Sequence, residues 1–172
     1  MKFNEFYSLT IVHSRDIILV KGVDYMNITK QKSQKTFDKQ AADYDTNIQG
    51  EHARKLYKPI IENLKNKNIH SILDLGCGTG ALLKEIKELN IAEQLFGIDI
   101  SPNMLEIAKN KLGNDATLIL GDSERLPFED SSFDAIVCND SFHHYPQPDI
   151  VEKEVSRCLK QNGVFIIGDC WQ

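Results

Sequence analysis

Apolar and polar positions alternate in short blocks along this chain. Near the amino end two runs rich in β-formers, Ser8-Leu9-Thr10-Ile11-Val12 and Ile17-Ile18-Leu19-Val20, flank the polar stretch His13-Ser14-Arg15-Asp16. That pattern predicts a hairpin. From Met26 to Lys39 the chain turns polar and rich in Lys, Gln and Ser, as in a linker or a short exposed helix. Met26 is also an alternative start, with residues 1–25 as an upstream extension. Between Glu51 and Lys67, Leu56, Ile60, Ile61 and Leu64 recur at helical spacing, with Pro59 as a kink or break. Beyond Asn68 the pattern becomes regular. Strands are predicted at 71–75, 95–100, 117–120, 133–138 and 164–167. Helices are predicted at 81–89, from Ser101-Pro102 onward, and at 149–159. Ser101 is a good N-cap with Pro102 at the first helical position, and Met104, Leu105, Ala108 and Leu112 form that helix's apolar face. Asn162-Gly163 reads as the cap that ends the last helix.

Strands alternating with helices mean βαβ units, hence an α/β fold with a parallel sheet covered on both faces. At 172 residues the chain suits one domain with a self-sufficient core. Residues 1–36 read as an amino-terminal extension and linker, and 37–172 as the domain. With 41% hydrophobic and 26% charged residues, a disordered chain, a fibre and a coiled coil are excluded. Apolar runs of about five residues are far too short to span a bilayer. A net charge of −5 argues against duplex nucleic acid as a partner. Of the four cysteines none forms a C-x-x-C pair, so Cys77, Cys138, Cys158 and Cys170 read as small buried hydrophobes in a reducing compartment. Arg15 and Asp16 break the early apolar run, so it is no signal peptide, and a cytoplasmic protein is expected.

Gly76-Cys77-Gly78-Thr79-Gly80 follows the first of the regular strands and opens a helix. Glycines there let backbone turn tightly and approach a ligand, and with Ala81 the run also fits the dinucleotide fingerprint. Three acids discriminate between cofactors. Asp74, just before the glycines, would repel a pyrophosphate and welcome an ammonium or sulfonium. Asp99 ends the next strand about 20 residues after Gly76, where a carboxylate accepts ribose hydroxyls. Asp122, followed by Ser123, ends the third strand, where a carboxylate and an amide can read an adenine edge. All three fall at carboxyl ends of parallel strands, where open α/β sheets bind ligands.

Ile72-Leu73-Asp74-Leu75-Gly76-Cys77-Gly78-Thr79-Gly80 resembles motif I of the class I S-adenosylmethionine-dependent methyltransferases. Gly97-Ile98-Asp99-Ile100-Ser101 and Gly121-Asp122-Ser123-Glu124-Arg125-Leu126-Pro127-Phe128 resemble the family's second-strand and adenine-side motifs. Phe133-Asp134-Ala135-Ile136-Val137 and Leu159-Lys160-Gln161-Asn162-Gly163 resemble its fourth strand and the run into its fifth. Phe37-Asp38 with Ala41, Tyr44 and Asp45 resembles the amino-terminal signature of the small-molecule branch, which includes quinone C-methyltransferases. The resemblance implies a Rossmann-like doubly wound sheet of order 3-2-1-4-5 and S-adenosyl-L-methionine as cofactor. It implies that Asp74 and Gly76 face the methionine part, with Cys77 and Gly78 in the same loop. Asp99 would hold the ribose, Ile100 pack on the adenine, and Asp122 and Ser123 meet its edge. Asn139 would border the reacting methyl and Tyr44 lie over the cofactor.

Methyl transfer from a sulfonium needs alignment of the acceptor more than a protein nucleophile. A general base is needed only where the acceptor loses a proton. His143 and His144, after the fourth strand, are the candidates, since histidine titrates near neutrality. No metal is expected, because adjacent histidines seldom face one ion and no third ligand stands out. The segment after the fourth strand is not the Asn/Asp-Pro-Pro-aromatic run of the family's base and amide N-methylating members, so a small-molecule acceptor is expected. The family's fold continues past its fifth strand with a helix and an antiparallel strand pair, which this sequence lacks. The chain therefore reads as truncated, with residues 164–167 forming an apolar edge open to self-association, unless something else, such as the amino-terminal hairpin runs, covers that edge. The alternatives are a nicotinamide-dependent oxidoreductase and a non-catalytic binding fragment.

Overall fold

The computed structural model describes residues 7–12 and 26–170. The elements run β1 (Tyr7–Val12), α1 (Met26–Gln40), α2 (Ile48–Lys55), α3 (Tyr57–Leu64), β2 (Ile69–Leu75), α4 (Ala81–Glu88), β3 (Ala92–Asp99), α5 (Pro102–Leu112), β4 (Ala116–Leu120), β5 (Phe133–Asn139), α6 (Pro148–Cys158) and β6 (Leu159–Cys170). Short 3-10 turns at Ala41–Asp43 and Phe142–His144 follow α1 and β5. The sheet order is β1-β6-β5-β2-β3-β4. Strands β2 to β6 are parallel, in the expected order 3-2-1-4-5.

Alternation along the central strands divides the core between the two sheet faces. Ile72, Ala135, Val137, Val164 and Ile166 pack with Leu56, Ile60, Leu64, Leu83 and Ile86 of α2–α4. Their neighbours Leu73, Leu75, Ile136, Cys138, Phe165 and Ile167 pack with Val151 and Val155 of α6. Ser101 caps α5 as expected, its hydroxyl accepting from the Met104 amide at 3.1 Å. Met104, Leu105, Ala108 and Leu112 are buried.

The polar tract after Met26 takes the helical one of its two readings, with 15 residues, and residues 36 and 37 both lie within it. Three other expectations are corrected. The helix expected across Pro59 is two helices, and the break lies at Leu56, before the proline. Pro59 sits in the first turn of α3, where a missing N–H costs nothing. Asn162-Gly163 does not cap α6, which ends at Cys158; Asn162 takes a left-handed φ of 67° within β6. Nor is the carboxy-terminal parallel strand a bare edge. Strand β1 pairs antiparallel along it, from Tyr7↔Cys170 to Val12↔Phe165, and satisfies the backbone groups expected to seek a partner. The second hairpin run, Ile17 to Val20, lies outside the described residues. Among the described residues no helix is long and apolar enough to cross a membrane.

Strand order reverses at β2, which has β3 on one side and β5 on the other. The loops leaving β2, β3, β4 and β5 all open on that crevice, the usual ligand position in such sheets.

Candidate functional site

The turn after β2 is fixed by its backbone. The Gly76 and Cys77 amides donate to the Ile98 carbonyl of β3 at 2.9 and 3.1 Å. Gly76 holds a φ of 68°, and a Cβ there would stand 2.1 Å from Ser141 Oγ, so glycine is required on both counts. Gly78 also has positive φ, but its missing side chain would project into open space.

One cleft is lined by Tyr44, Asp74, Gly76, Cys77, Gly78, Asp99, Ile100, Asp122, Ser123 and Asn139, together with His144. These are all the cofactor-side residues expected from the sequence and one of the two histidines. Asp74 is 2% exposed, and its Oδ1 has no hydrogen-bond partner among the described residues. Burial, then the nearby Asp99 carboxylate, push its pKa well above the usual carboxylate range. Asp99 accepts the Gly78 amide on Oδ2 and the Ser101 amide on Oδ1, both at 2.8 Å. Desolvation raises its pKa against these donors. A carboxylate offers about four lone-pair sites, so Asp99 keeps acceptor capacity for a ligand. Asn139 donates through Nδ2 to the Ala53 carbonyl at 3.3 Å, while its buried Oδ1 lacks a partner among the described residues. Two orphaned acceptors beside spare carboxylate capacity call for a ligand rich in donors and positive charge. The amino group and ribose hydroxyls of S-adenosylmethionine fit that demand; a pyrophosphate at Asp74 does not.

The amino-terminal segment closes the cleft from above. Ser101 Oγ donates to Asp38 at 2.5 Å, and Asn103 Nδ2 donates to the Asp38 carbonyl at 3.0 Å. Asp45 receives Thr79 Oγ1 at 2.6 Å and Lys111 Nζ at 2.7 Å, which hold its carboxyl below the usual range despite partial burial. The motif residues Asp38 and Asp45 thus dock α1 and its following turn onto α5 and the glycine loop. Tyr44 meets Phe37 edge to face at 6.2 Å, and burial pushes its phenol up to about 12. In the loop after β4, Asp122 receives the Glu124 amide at 2.9 Å and Lys30 Nζ at 2.6 Å; Lys30 also binds Glu124. Ser123 Oγ meets the Tyr145 hydroxyl at 3.2 Å.

The two histidines part company. His144 lines the cleft, with its ring edge to face on Phe37 at 5.1 Å. Burial, then His143, lower its pKa. His143 is outside the lining: its Nδ1 lies 2.7 Å from Asp169 Oδ1, and the hydrogen bond to that carboxylate raises its pKa. Sequence reasoning missed Lys30, Tyr57, Ser141 and Tyr145, which also line the cleft. Tyr145 directly follows the histidine pair and was within reach. Lys30 sits 92 residues from Asp122 in a polar tract, and no local signal marks it.

A family model described as "Methyltransferase domain" matches residues 73–167. The chain is 34% identical over 142 residues to a demethylmenaquinone methyltransferase of Thermotoga maritima, covering 81% of this chain and 62% of that protein. It is 35% identical over 125 residues to the sterol 4-C-methyltransferase strm-1 of Caenorhabditis elegans, covering 69% of this chain and 36% of that one. Among solved structures, a putative methyltransferase of Haloferax volcanii in complex with the Trm112 methyltransferase activator superposes with a TM-score of 0.69 at 28% identity, over 76% of this chain and 58% of that one. The chain thus spans between 36% and 62% of the length of these relatives.

Proposed function

This chain belongs to the class I S-adenosylmethionine-dependent methyltransferases, and from that premise we propose that its cleft binds the cofactor and that the chain transfers its methyl to a small-molecule acceptor by in-line displacement. The observation that carries the reading is Asp74: a buried carboxylate with an orphaned oxygen, at the end of β2, beside a glycine turn. The family sets aside the nicotinamide-dependent oxidoreductase.

Bound there, S-adenosylmethionine supplies an activated methyl on a sulfonium. Asp74 holds the ammonium end, and its ionised form is the one that pairs. Asp99 takes the ribose hydroxyls with its spare acceptor capacity. Asp122, Ser123 and Ile100 hold the adenine, and Lys30 fixes the Asp122 carboxylate. Tyr44 and Phe37 close over the site and exclude water. Asn139 borders the transferring methyl. His144 is the base for acceptors that lose a proton, because its depressed pKa keeps the ring neutral near pH 7. The binding unit includes α1, since Lys30, Ser33 and Phe37 line the cleft. Buried free thiols at Cys77, Cys138 and Cys158 support a reducing, cytoplasmic setting.

Calorimetric titration with S-adenosylhomocysteine and, separately, NAD tests the binding half. Micromolar binding of the first and none of the second is expected. The reverse order of affinities refutes the reading.

A further inference from the structure

Asp140, His143 and Asp169 come from three places in the fold: the residue after β5, the 3-10 turn, and β6. One donor atom from each lies within 4.8 Å of the other two. We propose that these three residues bind one divalent first-row transition ion at the rim of the cleft.

The donor set is one imidazole and two carboxylates, which suits Mn2+, Fe2+ or Zn2+. At bonds of about 2.0–2.2 Å one ion bridges donors up to about 4.4 Å apart, so the set closes on it with shifts of a few tenths of an ångström. The ligands are held in place before any ion arrives. Asp169 Oδ2 accepts the His143 amide at 3.0 Å, which fixes the carboxylate. The Asp140 amide donates to the Gly168 carbonyl at 2.7 Å, locking the end of β5 onto β6. Asp140 also carries a left-handed φ of 50°, uncommon outside glycine and asparagine or aspartate, which turns the chain sharply at this point. The Asp169 side chain is only 4% exposed and that of Asp140 10%, whereas His143 is 41% exposed. An ion therefore has an entry path on the histidine side and two carboxylates beneath it. It would take the place of the proton that His143 Nδ1 shares with Asp169 Oδ1 at 2.7 Å. His52 Nδ1 stands 3.6 Å from Asp140 Oδ2.

Only one of the two adjacent histidines is used, and the third ligand comes from 26 residues downstream of His143, which is why the sequence showed no metal pattern. Asp140 is shared with the cleft lining, so the ion would lie beside the cleft. An acceptor oxygen bound there would lose its proton more readily.

The proposal does not depend on methyl transfer, and its test needs neither cofactor nor acceptor. The full chain, stripped with a chelator, is titrated with Mn2+ while free Mn2+ is counted by electron paramagnetic resonance. One ion per chain is expected at micromolar Mn2+, displaced by Zn2+. His143→Gln and Asp169→Asn should each weaken uptake about tenfold or more. No uptake of either metal below millimolar overturns the proposal, as does uptake that both variants leave unchanged. Should Asp169→Asn fail to fold, His143→Gln, with its exposed ring, decides alone. S-adenosylhomocysteine calorimetry on the stripped sample reports separately on the cofactor reading.

Discussion

Replacing Asp99 with alanine should cost cofactor affinity far more than any change at the histidines. In the structure its two oxygens already hold the Gly78 and Ser101 amides, each at 2.8 Å, so the group is oriented before a ligand arrives. Two ribose hydroxyls would fill its remaining acceptor sites. Hydrogen bonds to a charged group contribute about 1.5–3 kcal/mol each, so two give at least about 3 kcal/mol. At about 1.4 kcal/mol per decade, that is a hundredfold rise in Kd. The loss of the Gly78 anchor adds to it by loosening the glycine turn. The assay is calorimetry with S-adenosylhomocysteine, on protein shown to be folded by circular dichroism. His144→Ala, measured in parallel, should leave Kd within about threefold, since the histidine faces the acceptor and makes no cofactor hydrogen bond in this account. A folded Asp99→Ala protein with wild-type affinity would show that the ribose is held elsewhere, and the reasoning would fail.

Asp74→Asn should stabilise the ligand-free chain, and increasingly so as pH rises. The raised pKa means that folding favours the protonated form, so the wild-type penalty is absent below the usual carboxylate range and grows as pH climbs through the raised pKa. Melting temperatures compared at pH 5 and pH 8 check this; a gain that shrinks with pH contradicts it. Wild-type affinity for S-adenosylhomocysteine should rise with pH over that window, with proton release visible as a buffer-dependent binding enthalpy, and the asparagine variant should show less of both, keeping only what Asp99 contributes. Gly78→Ala places a methyl in open space at a φ of 52°. Chemical denaturation should show a loss of about 1–2 kcal/mol from the backbone strain alone, with affinity falling further because the methyl enters the ligand's space. Lys30→Ala should cost about 1 kcal/mol of stability and speed hydrogen exchange in α1, because the partly buried pair with Asp122 ties that helix down. Unchanged exchange in α1 would mean that Asp38 and Asp45 suffice.

The parts of this fold that were legible are those whose signal is local. Ser101-Pro102 announces a helix start because the cap and the proline act within one turn. The consecutive apolar pair Ile72-Leu73 marks a strand buried on both faces because successive side chains of a strand point to opposite faces. Asp74, Asp99 and Asp122 were legible because each sits at a strand end that the pattern itself locates. What escaped depends on distant partners. The helix α1 has almost no apolar face, and it is held through Asp38, Lys30 and the turn at Asp45 by groups on α5, the β4 loop and the glycine turn. Asn162-Gly163 looked like a helix cap because a left-handed residue serves equally in a bend within a strand, and only the pairing of β6 with β5 tells the two apart. His143 and His144 are neighbours in sequence, but one turn of 3-10 helix sends the first to Asp169 and the second to the cleft.

The central claim is that one cofactor lies across the ends of β2, β3 and β4, with Asp74 and Asp99 as its anchors. Hydrogen exchange with and without saturating S-adenosylhomocysteine tests it most directly, because it reports binding and place together. The account predicts slowed exchange in peptides covering residues 76–80, 99–101 and 121–124 and in α1, with little change in β6 and α6. Protection confined to other segments, or none at all at saturating ligand, would contradict it.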